Sequence, residues 1–417
     1  MNRNSYKKTG IFILGILISV NAFCQNDTLW YKDWFAQIEP FKATDCKILN
    51  LINENKNKTN SDLGYPLSFI GFQGQSDVLN YDPANNSDPA SIPKAISDCS
   101  YHKYEQINFK GIDSLIHLIP SDYEIVMINE AHTKPQHRAF VKLLLKQFYD
   151  AGFRYLAVEA LGYFKTCCTG GKEWVDSSDS QYLTKPKSYN GYYTNDSQMY
   201  NMLKEAENLG FTLVGYDYTR SEKRDSLGAI NLLGQVDFSK GKLLSYSGYG
   251  HFENAPGFLG YYLEKMTQKK IFRIDQTYII EDFQKTIFTS IYKCISRGAN
   301  LPSKPYILYG GQMPFKTTPN AYADLHIYWP PVLYENYRPT WLKSMPNVIK
   351  HSVKVNKNKN IVLVQAFRAK HPDEKAFDQT FCLKNQTKVD LYLEKGGYFI
   401  IMTDNKGQSI SQKIKIK

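Results

Sequence analysis

The chain has 417 residues and a formal net charge of +11. That length exceeds one ordinary domain and predicts one large core with a smaller module attached. The charge is uneven: residues 1–24 hold three bases and no acid, residues 351–417 hold 13 bases against 6 acids, and the rest is close to neutral. No Lys/Arg cluster surrounds the candidate site described below, which excludes a nucleic-acid groove and leaves the basic tail as a solvated face or a contact with an acidic cell surface.

Residues 1–24 read as a cleaved signal peptide. Arg3, Lys7 and Lys8 precede an apolar run, Ile11 to Val20, that is too short to span a bilayer, and Ala22-Phe23-Cys24 offers small residues where a signal peptidase reads. This implies a secreted or periplasmic protein, and Phe23 before Cys24 argues against a lipoprotein. Six cysteines remain in a compartment that permits disulfides, so connectivity is open; Cys46 and Cys99 could staple the segment between them, whereas adjacent Cys167 and Cys168 would strain to pair. Residues 25–110 form an N-terminal extension, within which Ser61 to Ser97 has no clear periodicity.

Between Asp122 and Gln276 strand and helix patterns alternate. A strand Glu124–Ile128 precedes Thr133-Lys-Pro-Gln136, a capping box with Pro135 in the first turn of a helix whose apolar face is Phe140, Leu144 and Phe148. A strand Tyr155–Glu159 leads to a polar insertion, Tyr163 to Asn195, placed to act as a lid or specificity loop. A helix near Gln198–Leu209, a strand Phe211–Tyr216, a helix near Arg224–Leu233, a strand Lys242–Ser247, a helix Pro256–Met266 and a strand Ile271–Ile274 follow. This rhythm predicts an α/β domain over residues 111–345, an open and mostly parallel sheet of about five strands with helices on both faces. Residues 282–297 read as a helix, and Tyr306–Tyr309 and Leu325–Tyr328 as strands without an assigned place.

The period changes towards the C-terminus. Val389, Leu391 and Leu393 alternate, Gly396-Gly397 turns, Tyr398, Ile400 and Met402 alternate, and a second turn at Asp404–Gly407 leads to Ile410, Ile414 and Ile416. Residues 351–417 therefore form a small antiparallel β-module of sandwich type, with lysines protecting an edge strand.

Three strand ends carry chemistry. Ile125–Ile128 runs into Asn129-Glu130-Ala131-His132, Tyr155–Val158 into Glu159, and Leu243–Ser247 into Gly248-Tyr249-Gly250-His251. The carboxyl ends of parallel strands share one edge, so two carboxylates and two imidazoles converge there. A carboxylate beside an imidazole fixes its tautomer and raises its basicity, which suits general-base hydrolysis or metal ligation. His137, Arg224 and Asp217 are candidates for binding substrate at the same edge. Asp275 also ends a strand, where a turn cap is the simpler role; His102, His117, His326, His351 and His371 carry no assignment.

Asn-Glu-Ala-His132 with Lys134-Pro-Gln-His137-Arg, Phe153-Arg-Tyr-Leu-Ala-Val-Glu159, and Gly248-Tyr-Gly-His251 with Gly260-Tyr-Tyr-Leu263 resemble the superfamily that joins erythromycin esterases, ChaN-type haem-binding proteins and Tiki/TraB proteins. The resemblance covers roughly residues 110–280 and implies functional roles for Glu130, His132, Glu159 and His251; Arg224-Asp225 resembles the Arg–acid pair of the esterases. Asn129 stands where that group has glycine, and the Glu-x-His spacing is the ChaN-like form. Three functions stay open on this reading. One is a hydrolase of a small-molecule or peptide substrate, with Glu130, His132, Glu159 and His251 catalytic. Another is a Tiki-like peptidase with the same four residues on a divalent metal. The third is a non-catalytic haem or iron-uptake binder.

Overall fold

The computed structural model describes residues 107–417 apart from 133, 163–191, 218–222, 278, 280–303, 311–312, 315–322, 331, 357–360, 371–374, 383–385 and 405–407. The signal segment, most of the N-terminal extension, Cys46, Cys99, Cys167 and Cys168, His102 and His371, nearly all of the polar insertion and the helix expected at 282–297 lie outside the described residues.

The strands of the first body are β1 (Ile107–Gly111), β2 (Ile125–Glu130), β3 (Phe153–Gly162), β4 (Thr212–Asp217), β5 (Lys242–Gly248), β6 (Ile271–Asp275), β7 (Tyr306–Gly310), β8 (Met313–Pro314) and β9 (Leu325–Tyr328). They make one mixed sheet in the order β1-β7-β9-β6-β2-β5-β3-β4, with β8 paired to β7. The run from β4 to β9 is parallel, and β7 and β1 extend it antiparallel. The sheet is thus wider than the five strands expected, and β1 begins inside the segment read as an N-terminal extension. β2 is buried along its whole length, as a parallel strand covered on both faces must be.

Among the described residues four α-helices link the strands: α1 (Pro135–Asp150), α2 (Ser197–Leu209), α3 (Arg224–Leu233) and α4 (Leu259–Thr267). Phe140, Leu144 and Phe148 of α1 and Met202 and Leu203 of α2 share a core with Ile128, Leu156 and Tyr246. Ala229 and Leu232 of α3 and Leu259 and Leu263 of α4 pack with Ile125, Met127 and Val214 on the other face. Each such buried side chain contributes about 1.5–3 kcal/mol, which outweighs helix propensity in fixing the layers. α1 is capped at Lys134 without a side-chain bond, and Pro135 occupies the first turn as expected; Thr133, on which the expected capping box turns, lies outside the described residues.

The C-terminal region holds a small hairpin, β10 (Tyr334–Glu335) with β11 (Arg338–Pro339), and two further sheets. β12 (Val348–Lys354) pairs with β15 (Lys388–Glu394); β13 (Ile361–Arg368), β14 (Asp378–Phe381), β16 (Gly396–Asp404) and β17 (Ser409–Ile416) pair in the order β14-β13-β16-β17. Val353, Leu391 and Leu393 of the first sheet and Val364, Tyr398 and Ile400 of the second share a core separate from the α/β body. The turn at Gly396, at φ 147°, does not close a hairpin; it carries the chain from one sheet to the other. Lys413 and Lys415 are exposed on β17, an outermost strand.

Candidate functional site

Sheet order brings the site together. The chain goes outward from β2 through β3 to β4 and then returns, so β5 lies between β2 and β3. The Gly248–His251 turn therefore emerges between the end of β2, which supplies Glu130 and His132, and the end of β3, which supplies Glu159. Reversals of this kind are where open α/β sheets form ligand crevices. The β3–β4 ladder also loses register between Val158 and Gly162, a local break at Glu159.

Glu130 is buried and fully engaged. Its two oxygens accept from Arg138 Nη2 and Nε, each at 2.6 Å, and from the Tyr246 hydroxyl at 2.7 Å; Oε1 also lies 2.9 Å from His132 Nδ1. Burial alone pushes this carboxyl up, but the Arg138 charge and the hydrogen bonds from His132 and Arg138 bring it down to about 2. It is an anion at neutral pH, so it accepts the Nδ1–H of His132 and leaves Nε2 as the basic nitrogen.

The Nε2 edge of His132 faces Gly248. A Cβ there would stand 2.5 Å from His132 Nε2 and 3.2 Å from Glu159 Oε2, so only a glycine lets both groups pack this closely against the turn. Tyr193 stacks on the His132 ring at 4.4 Å, and Tyr249 meets it edge-on at 5.3 Å. Tyr249 adopts φ 32°, a left-handed conformation that is costly for an aromatic residue, and is half exposed.

Glu159 accepts the Gly248 N–H at 2.6 Å and Arg224 Nη2 at 2.7 Å, with His251 Nε2 3.4 Å from Oε1. Burial pushes its carboxyl up, yet the His251 hydrogen bond and the charges of His251, His132 and Arg224 hold it well below the usual range. Arg224 is itself aimed by Asp217, through Nε to Oδ1 at 2.7 Å and Nη2 to Oδ2 at 2.8 Å. His251 donates from Nδ1 to Asp225 at 2.6 Å. Burial would lower its pKa, but hydrogen bonds to Asp225 and Glu159 and their charges raise it to about 10, so it is an imidazolium at neutral pH. Arg224 Nη1 lies 3.3 Å from its Nε2 and would donate to that nitrogen once its proton left.

Of the residues singled out from sequence, Glu130 with His132 and Glu159 with Arg224, Asp217 and His251 form two bonded sets that meet at Gly248. His137 joins neither. Fully buried, it accepts the Ala131 N–H on Nδ1 at 3.0 Å and packs against Trp329, and burial lowers its pKa to about 3. It is a neutral histidine behind the strand end, not a surface for substrate. Asp275 pairs with His326 at 3.0 Å and receives Asn129 Nδ2 at 2.7 Å. Asn129 Oδ1 also accepts the Gln276 N–H at 2.7 Å, so it braces the neighbouring strand end where the resemblance implied a glycine. Sequence reasoning missed Arg138 and Tyr193 and did not give Asp225 its role. A charged residue among the buried positions of α1 was a usable signal for Arg138; Tyr193 falls at the end of the insertion read as a lid or specificity loop, which pointed to the segment and not to the residue.

The four residues do not fit a divalent metal. The Glu130 oxygens are taken by Arg138, Tyr246 and His132, the Glu159 oxygens by Arg224 and a backbone amide, and His251 is a cation. A metal would have to displace two guanidiniums from these carboxylates. Among the described residues no group of three or more His, Cys, Asp or Glu is arranged to hold one. Among the described histidines, His251 is held between carboxylates and His137 and His326 are buried, which leaves His132, its side chain 20% exposed, as the imidazole beside this site that an incoming group could reach.

No family model matches the chain, and no curated protein matches it. Two solved structures are similar over part of it. The type III effector HopBA1 is 13% identical over 54% of this chain and 98% of its own, with a TM-score of 0.34. A structure described as that of bacterial protein toxins is 15% identical over 40% of this chain and 36% of its own, with a TM-score of 0.24.

Proposed function

We propose that the chain is a hydrolase that uses no resident metal and activates water with His132. The observation that carries this is the 2.9 Å contact between Glu130 Oε1 and His132 Nδ1, which leaves Nε2 of a partly exposed ring as the nitrogen that can take a proton. Glu159 is too strongly held as an anion to be an effective base, which leaves His132 for that role. Water gives a proton to His132 Nε2 as its oxygen attacks the substrate carbonyl carbon. Arg224 and the His251 imidazolium stabilise the oxyanion that develops, and His132 then returns the proton to the leaving group. Glu159, Asp217 and Asp225 hold the two cations in place. The resemblance to erythromycin esterases and their relatives implies function for the same Glu130, His132, Glu159 and His251.

The substrate class is a small-molecule or peptide ester or amide, met outside the cytoplasm if the N-terminal signal is cleaved. Purified protein assayed against ester, amide and peptide panels, with and without chelator, tests the reading. Turnover that survives chelation and vanishes in His132→Ala is the expected result. Turnover abolished by chelator and restored by a divalent metal would replace it with the peptidase reading; no turnover, with a 1:1 Soret shift on haem titration, would replace it with the binding reading.

A further inference from the structure

Arg138 has no part in the reaction as written, yet it is a completely buried charge beside the site, at 0% exposure. A buried guanidinium is tolerated only where its N–H groups are met. Nε and Nη2 form a planar fork on the two oxygens of Glu130, and Nη2 also donates to the His132 carbonyl at 3.0 Å. Nη1 goes to Asp196, which caps α2 by accepting the Gln198 N–H at 2.9 Å. The Asp196 N–H in turn bonds the Tyr193 carbonyl at 3.1 Å, and the Tyr193 ring stacks on His132 while lying 5.5 Å from the guanidinium carbon.

These contacts form a closed circuit from His132 through Glu130, Arg138, Asp196 and Tyr193 back to the His132 ring. We propose that Arg138 is a positioning residue, which fixes Glu130 against His132 Nδ1 and ties that dyad to the aromatic turn Tyr192–Asn195, so that tautomer and ring orientation of the base are set together. The proposal rests on the reading of His132 as the base. An ion pair kept only for stability is matched or bettered by an apolar pair of similar volume. This one holds a carboxylate anionic at the single place where an anion keeps the proton on Nδ1. Lysine could not replace it, because one ammonium cannot present a fork to Glu130 and reach Asp196 as well.

The test uses the full chain with 15N-labelled histidine. In the wild-type protein His132 should show the Nδ1–H tautomer. Arg138→Lys should mix the tautomers and lower kcat about 10–100-fold, the range for residues that orient a functional group, with KM little changed. Asp196→Asn retains a good cap for α2 and should give a smaller change of the same sign. Leu203→Ala, in the core of α2, is the control: it should lower the melting temperature but leave tautomer and kcat at wild-type values. A folded Arg138→Lys with wild-type tautomer and kcat overturns the proposal; if that variant does not fold, an unchanged tautomer in Asp196→Asn overturns it. Should no substrate be turned over by wild-type protein, the hydrolase reading falls, while a tautomer shift in the variants still establishes the positioning role.

Discussion

Asp225 Oδ2 lies 2.6 Å from His251 Nδ1 and 2.8 Å from the Leu259 amide, so one carboxylate oxygen ties the imidazolium to the start of α4. The residue beside it, Arg224, reaches Glu159 and Asp217. Two consecutive residues at the start of α3 thus hold the cationic half of the site, while Glu130 and His132 form the basic half across Gly248.

The first prediction concerns pH. The His251 pKa is raised from 6.5 to about 10, so its interactions stabilise the fold fully below pH 6.5 and lose that contribution as pH rises towards about 10. Melting temperature should therefore decline between pH 7 and 10, and kcat/KM should fall along the alkaline limb where the imidazolium is lost. Asp225→Asn should bring that limb down by roughly 1–2 units. An alkaline limb that stays in place would remove His251 as the electrophile.

Gly248→Ala separates the geometry of the base from folding. The added methyl would meet His132 Cε1 at 2.3 Å and Nε2 at 2.5 Å, closer than any tolerated contact, so the imidazole must turn away from Glu130. Overpacking of this kind costs about 1–3 kcal/mol, and the loss of base geometry should cost about 10²-fold in kcat. Gly260→Ala makes the contrast, since its methyl would meet the Phe252 carbonyl oxygen at 2.4 Å; it should unseat α4 and lower stability first. Equal activity in Gly248→Ala and wild type, measured on folded protein, would show that turnover does not depend on the seat of His132 against Gly248.

His132→Ala should reduce turnover about 10²–10⁴-fold, the usual worth of a general base, with little change in melting temperature. Glu159→Gln should reduce turnover as well but also destabilise, because Arg224 and His251 would lose a shared anion. Calorimetry beside kinetics distinguishes the two residues: full activity in both variants would dissolve the catalytic assignment.

The parallel strands were legible because apolar runs such as Ile125–Ile128 have no other use than burial on both faces. Glu130, His132, Glu159 and His251 were legible because strand ends share an edge. The Glu130–His132 pair is two residues apart and was legible locally, whereas the ties of His251 to Asp225 and of Arg224 to Glu159 were not, since they depend on β5 returning between β2 and β3, an order no local pattern encodes. His137 was misleading because its place at the start of α1 matched the ligand edge, while burial against Trp329 turned it inward.

The last prediction concerns where the β-module begins. Its strands start at Val348, but Arg338 of β11 is buried and donates to both oxygens of Asp378, at 2.6 and 2.8 Å, and to the Gln379 carbonyl at 2.8 Å. Asp378 also accepts the Tyr392 amide at 2.7 Å, so the same carboxylate joins the two sheets of the module. A fragment of residues 345–417 would keep Asp378 buried without its cation, whereas one of residues 332–417 retains the pair. Breaking a buried ion pair by removing one partner costs about 3–5 kcal/mol, a large share of what a small module has. The longer fragment should therefore fold cooperatively, and the shorter should melt far lower or not fold at all. The α/β body has its own two cores and meets the module through contacts such as Lys142 with Glu394 and Asn201 with the Phe377 carbonyl, so residues 1–330 should stay soluble. Equal stability of the two fragments by urea titration would show that the Arg338–Asp378 pair is dispensable and that the module begins at β12.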